Sequence, residues 1–235
     1  MKWELKNYDD DYLKFKSEEF HENELITRLL LNRSIISKKE VENFLNSGDE
    51  SLHDPFLFEQ MEEVVDRILQ ARNNKEKVII YGDYDVDGIS GTAYLVIILR
   101  KLGMNVDYYI PNRAHEGVGI NKNFLKYLIK RNTRLIITVD TSISTSEEIL
   151  MLKSNNIDII ITDHHRPVNN IAEFNLLTVN PKISKKYPNK NLSGSGVAFK
   201  LATAIYEKLG MSKKIIFEYI DIVMIGTVAD VVPMI

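Results

Sequence analysis

The residues best suited to hold metal ions or move protons fall in four groups. Asp83, Asp85 and Asp87 sit at every second position of GDYDVDG, directly after the apolar run Val78 to Tyr81. Asp140 follows Leu135 to Val139, and Asp163, His164 and His165 follow Asp158 to Thr162. Asp230 closes the segment GTVAD near the C-terminus. Carboxylates crowded in this way repel one another, and burial makes the repulsion costly unless a cation sits among them. Oxygen and imidazole donors suit Mn²⁺ or Mg²⁺ better than structural zinc, and the chain has no cysteine to supply a thiolate. Several carboxylates can hold two cations about 3.5–4 Å apart, the spacing used for in-line attack on phosphorus. Phosphoester hydrolysis is the chemistry that follows.

Taken singly, Asp87 or Asp140 is as well explained as a helix N-cap, and His165 as a supporting histidine beside a metal site. The coincidence of four groups is what capping does not explain. GDYDVDG also matches the start of a calcium loop, but the twelfth position, where that loop needs Glu, is Tyr94. The glycine pairs Gly117/Gly119 and Gly194/Gly196 do not complete a GxGxxG fingerprint, since positions 122 and 199 are Lys and Phe. As backbone-amide anion sites ahead of helices they remain candidates, with Gly194 and Gly196 expected to contact substrate.

The elements that must position these groups alternate between two periods. Short apolar runs at 77–81, 106–110, 135–139, 158–162 and 176–179 read as strands. Between them lie helical patterns, at Ile89 to Leu102, ended by Gly103, and around Phe124 to Ile129. Ser144 and Glu147 form a capping frame for a further helix to about Ser154, and Leu192 to Met224 reads as two helices. Such alternation predicts an α/β fold, a doubly wound and mainly parallel sheet flanked by helices. Ligands in such sheets bind at the carboxyl ends of the strands, where three of the four groups fall. Residues 1–50 read as a helical N-terminal extension, with a Ser37-x-x-Glu40 capping box, and 51–235 as the catalytic domain.

At 235 residues the chain can bury a substantial core, and its formal charge of −3 argues against a uniformly basic surface. The absence of cysteine, of a signal-type N-terminus and of a long apolar run places the expected protein in the cytoplasm, with no membrane contact.

GDYDVDG, ITVD (137–140), DHH (163–165) and GTVADVVP (226–233) resemble the four motifs of the DHH phosphoesterase superfamily. More narrowly, these motifs are similar to those of the RecJ-like single-stranded-DNA-specific exonucleases, as are the segments 52–68, 108–121 and 180–201. The resemblance implies that Asp83, Asp85, Asp87, Asp140, His164 and Asp230 hold two Mn²⁺ or Mg²⁺ ions, with Asp140 as the bridge. It implies that His165 faces the scissile phosphate as donor or acid, with Asp163 orienting the histidine pair. Arg113 and His115 would contact DNA phosphates, and Asn121 is either a helix cap or another such contact. The implied activity is 5′-to-3′ removal of nucleotides from single-stranded DNA. A phosphodiesterase for oligonucleotides or cyclic dinucleotides, and a lobe inactive by itself, are the alternatives. Family analogy adds a single-stranded-DNA-binding protein or a helicase as partner. Pyrophosphatases of the superfamily look like His-x-x-x-Asp-x-Asp in their first motif, whereas Tyr81 stands four residues before Asp85. Three features depart from the RecJ-like pattern: Thr141-Ser142 replaces the usual Cys-Gly, Val118 replaces a Tyr, and the second lobe of the family is not seen.

Overall fold

Five parallel strands form the sheet of the computed structural model, which describes residues 6–46, 48, 51–112, 122–142, 145–166 and 174–233. Arg113, His115, Gly117, Gly119 and Asn121 lie outside the described residues. The chain divides into two units, Met1–His53 and Asp54–Met234.

The first unit holds three helices, α1 (Asp10–Phe20), α2 (Glu24–Asn32) and α3 (Lys38–Leu45). Side chains of Asp9, Asn23 and Ser37 cap their N-termini, and Ser37 with Glu40 forms the expected capping box. Leu13, Phe20, Leu30, Leu31 and Val41 make a small core of their own.

In the second unit a 3₁₀ turn (Pro55–Leu57) and α4 (Met61–Asn73) lead to β1 (Lys77–Gly82). Then follow α5 (Val86–Lys101), β2 (Val106–Tyr109), α6 (Lys122–Lys130), β3 (Thr133–Val139), α7 (Ser146–Ser154), β4 (Asp158–Thr162) and β5 (Leu177–Val179). Helices α8 (Gly194–Lys208), α9 (Lys214–Phe217) and α10 (Ile220–Ala229) complete it. The strand order is β2-β1-β3-β4-β5. Alternate side chains of each strand go to opposite faces. Val78, Ile80, Leu135, Ile137 and Ile160 pack with α4, α5 and α8, while Ile79, Tyr81, Ile136, Ile159 and Ile161 pack with α6 and α7. Both faces are therefore covered, which is why the strands read as continuous apolar runs.

Three expectations need correction. Helix α5 starts at Val86 rather than Ile89, because the Asp85 carboxylate accepts a hydrogen bond from the Gly88 amide at 2.9 Å and caps it. Helix α7 is boxed by Thr145 and Glu148, one residue beyond the expected frame; this register buries Glu148, Ile149 and Leu152. The C-terminal segment holds three helices instead of two, and α10 carries the chain to Asp230 as its C-cap.

Candidate metal centre

The direction of winding reverses between β1 and β3, since β2 lies outside β1 while β3, β4 and β5 run the other way. The gap at such a reversal is where doubly wound sheets place their ligands. Asp83, Asp85 and Asp87 leave β1 on one side of that gap and Asp140 leaves β3 on the other. The two loops are joined by the Asp83 amide, which donates to the Val139 carbonyl at 3.2 Å.

Each candidate ligand is set by its own local device. Asp87, 1 % exposed, lies in the first turn of α5, and its carboxylate accepts from the amides of Gly194 (2.5 Å) and Ser195 (2.9 Å) at the start of α8. Asp140 is 2 % exposed and has a left-handed backbone (φ 60°), a conformation Asp tolerates better than most residues. Its amide donates to the Thr162 carbonyl, and the Thr138 and Thr162 side chains link the ends of β3 and β4. A Cβ added at Gly194 would lie 2.7 Å from the Asp140 carboxyl carbon, so only glycine lets α8 approach this closely. Asp230, at the end of α10, comes within 3.6 Å of His164 Nε2.

His164 Nε2 stands at the centre of the group. It is 3.0 Å from Asp140 Oδ1, 3.6 Å from Asp230 Oδ2 and 3.9 Å from Asp87 Oδ2. Yet both Nε2 of His164 and Oδ1 of Asp140 are buried without a hydrogen bond of acceptable geometry. Such orphaned atoms are costly in a native interior and cheap if a cation completes them. Donor atoms lie within 4.8 Å of one another in three trios: Asp83–Asp85–Asp140, Asp87–His164–Asp230 and Asp140–His164–His165. Asp140 and His164 each belong to two of these. The donor set, oxygens with one or two imidazoles, fits Mn²⁺ or Mg²⁺. The expected ligands Asp83, Asp85, Asp87, Asp140, His164 and Asp230 are thus brought together, and His165 joins the edge of the group.

The electrostatics agree with a site built for cations. Burial, and then the charges of Asp87 and Asp85, push the Asp140 carboxyl up to about 7 against the pull of His164. Burial and the nearby Asp87 also raise Asp230. Burial disfavours the His164 cation, but Asp140 beside it outweighs this and raises the group. His165 is pushed up to about 9, chiefly by its Nδ1 contact with Asp163 Oδ1 at 2.9 Å. Burial would raise Asp163, but the His165 ring and the amides of residues 165 and 164 hold it below the usual carboxylate range.

Gly194 and Gly196 need correcting as substrate contacts. Both are buried; the Gly194 amide is spent on Asp87 and the Gly196 amide on Ser193 Oγ. The α8 N-terminus does bind an anion, but the anion is the chain's own carboxylate. Ser193 went unnoticed in the sequence, although a Ser directly ahead of a helical pattern is a capping signal. It caps α8, and its Oγ also meets Ser195 Oγ (2.9 Å) and Thr227 Oγ1 (3.0 Å).

A doubly wound parallel sheet with acids and a histidine pair at its winding reversal defines a metal-binding α/β protein. The family model described as "DHH family, N-terminal domain" matches residues 77–227, and the chain belongs to that family. It is similar to the single-stranded-DNA-specific exonuclease RecJ of Bacillus subtilis (39 % identity over 234 residues), covering 100 % of this chain and 29 % of that protein. RecJ of Haemophilus influenzae is 34 % identical over 219 residues, 89 % of this chain and 37 % of that one. Among solved structures, an exonuclease RecJ bound to manganese matches with a TM-score of 0.69 and 33 % identity over 77 % of this chain and 46 % of that chain. RecJ of Thermus thermophilus in complex with Mn²⁺ matches with a TM-score of 0.73 and 27 % identity over 97 % of this chain and 32 % of that chain. The chain thus spans about a third of the length of the curated relatives it matches.

Proposed function

We propose that this chain is the catalytic lobe of a metal-dependent phosphodiesterase that removes nucleotides from single-stranded DNA in the 5′-to-3′ direction. The observation that carries the reading is the orphaned pair Asp140 Oδ1 and His164 Nε2, buried among further acids at the winding reversal. Likeness to RecJ proteins, two of them solved with manganese, supports it. Asp83, Asp85, Asp87, Asp140, His164 and Asp230 would hold two Mn²⁺ or Mg²⁺ ions. Bound there, such ions lower the pKa of a coordinated water and neutralise charge on the phosphoryl oxygens.

The chain's own groups do the rest. His165, held as a cation by Asp163, donates to a phosphate oxygen and offers a proton to the leaving group, a role worth typically 10²–10⁴-fold. Asp163 fixes which ring nitrogen faces outward. Arg113 and His115, from the segment after β2, contact substrate phosphates. Residues 1–50 form an accessory helical extension and 51–235 the catalytic domain. The substrate strand, and a single-stranded-DNA-binding protein or a helicase, are the partners, and the cytoplasm is the location; among the described residues no helix is long and apolar enough to cross a membrane.

Incubating 5′- or 3′-labelled single-stranded and duplex DNA with Mn²⁺ tests the reading. Nucleotides released from single strands alone, from the 5′ end, are the expected products. Exclusive turnover of two-to-five-residue oligonucleotides would replace the long-strand substrate. No cleavage by this chain, nor by a longer protein that contains it, would sink the proposal.

A further inference from the structure

The ends of β1, β3 and β4 supply the metal centre, and the end of β5 reaches it as well. Asn180 directly follows Val179 and is 3 % exposed. Its Nδ2 donates to the backbone carbonyl of His165 at 2.8 Å, and its Oδ1 accepts from the Lys182 amide at 2.8 Å. One residue earlier, the Asp163 amide donates to the Val179 carbonyl at 3.2 Å. The ends of β4 and β5 are thus tied at two successive levels, and the outer tie is made by a side chain.

The segment that supplies this tie is itself anchored. Glu59 Oε1 accepts from the amides of Lys185 (2.6 Å) and Lys186 (3.1 Å), and Ser184 Oγ accepts from the Tyr187 amide. The Tyr187 ring stacks on Phe58 with centroids 3.9 Å apart. His165 needs such help. Its side chain is 60 % exposed, and Asp163 is the sole side chain hydrogen-bonded to its ring among the described residues. The aim of the ring therefore follows the backbone that carries it.

We propose that Asn180 is a positioning residue for His165: its amide holds the His165 carbonyl, and so sets where the imidazole points relative to the metal centre. The inference rests on the phosphodiesterase reading for its catalytic consequence, but not for its geometry. The competing account is that Asn180 only starts the loop, through the turn-forming bond from Oδ1 to Lys182. Asn180→Asp separates the two, since it keeps the size and the Oδ1 acceptor but removes the donor facing His165. Asn180→Ala removes both.

In the full chain with Mn²⁺, Asn180→Asp should lower kcat on a labelled single-stranded oligonucleotide roughly 10- to 100-fold, the usual cost of losing an outer support. KM, and Mn²⁺ affinity by calorimetry, should stay within about two-fold. In a His165→Ala background the same substitution should change kcat by less than about two-fold, because its effect passes through the missing ring. Long-range ¹H–¹⁵N spectra of the metal-free chain should show the His165 ring signals displaced by Asn180→Asp and those of His164 unmoved. Equal losses in both backgrounds, parallel losses of Mn²⁺ affinity and kcat, or stationary His165 signals would each overturn the proposal. If neither the unsubstituted chain nor a longer protein that contains it cleaves DNA, the functional reading falls while the spectra still decide the positioning role.

Discussion

Asp140 carries the sharpest electrostatic conflict in the molecule, and its consequences are measurable without any substrate. A carboxyl raised to about 7 when folded, against an ordinary 3.8, favours the folded state while it is protonated. That contribution is complete below the unfolded pKa and is lost as pH rises through the folded one. The melting temperature of the metal-free chain should therefore fall between about pH 5 and 7 on account of this group, which differential scanning calorimetry will show. Mn²⁺ should reverse the fall, by about 2.7 kcal/mol at a concentration 100 times its Kd, and more effectively at pH 8 than at pH 5.5 because protons compete for the ligands. Asp140→Asn is the better probe than alanine, since Asn accepts the left-handed backbone; it should abolish Mn²⁺ binding and activity while leaving a folded, more stable metal-free chain. At the neighbouring pair, Asp163→Asn should lower the His165 pKa in an NMR titration from about 9 towards the ordinary imidazole value, because the Asp163 contact is its largest support. A titration left near 9 would mean that Asp140 and Asp230 hold the proton instead.

Helix α8 does most to assemble the site from elements far apart in sequence. It presents two amides to Asp87, leaves out a Cβ beside Asp140 and packs on α5 and α10. Gly194→Ala should therefore weaken Mn²⁺ binding well beyond what its loss of thermal stability would suggest, as calorimetry and melting on one sample will show. Further along the helix, Lys200 is 3 % exposed, and burial pulls its amine down to about 8. Between pH 8 and 10 the unfolded chain binds the proton that the folded chain has released, so this group contributes stability that rises with pH, by roughly 2 kcal/mol, while His165, raised to about 9, works against it over the same range. Above pH 10 the raised tyrosines Tyr94 and Tyr187 work the other way. Lys200→Met should flatten the rise.

The strands were legible because both sheet faces are buried and leave unbroken apolar runs, and the ligands because they follow those runs. What escaped were decisions made by distant neighbours. Ser144/Glu147 and Thr145/Glu148 are equivalent frames until packing chooses one. A helix N-terminus at Gly194 looks the same locally whether its anion is substrate or Asp87, 107 positions away.

For the whole molecule, a formal charge of −3 with acids concentrated on one rim should repel a polyanion until cations load that rim. Single-stranded DNA should accordingly bind more weakly in a chelator than with Ca²⁺ as a non-hydrolysing substitute, a contrast that fluorescence anisotropy can read; equal affinity would place strand binding away from the metal centre. The proposed ligands run from Asp83 to Asp230, and α8, which buttresses two of them, is built from residues 194–208. During synthesis the ribosome must therefore release nearly all of this unit before a complete cage exists. If the proposed ligands hold ions, capture becomes a late checkpoint: a nascent or miswound chain would offer only stray carboxylates, and only the finished topology would retain the ions.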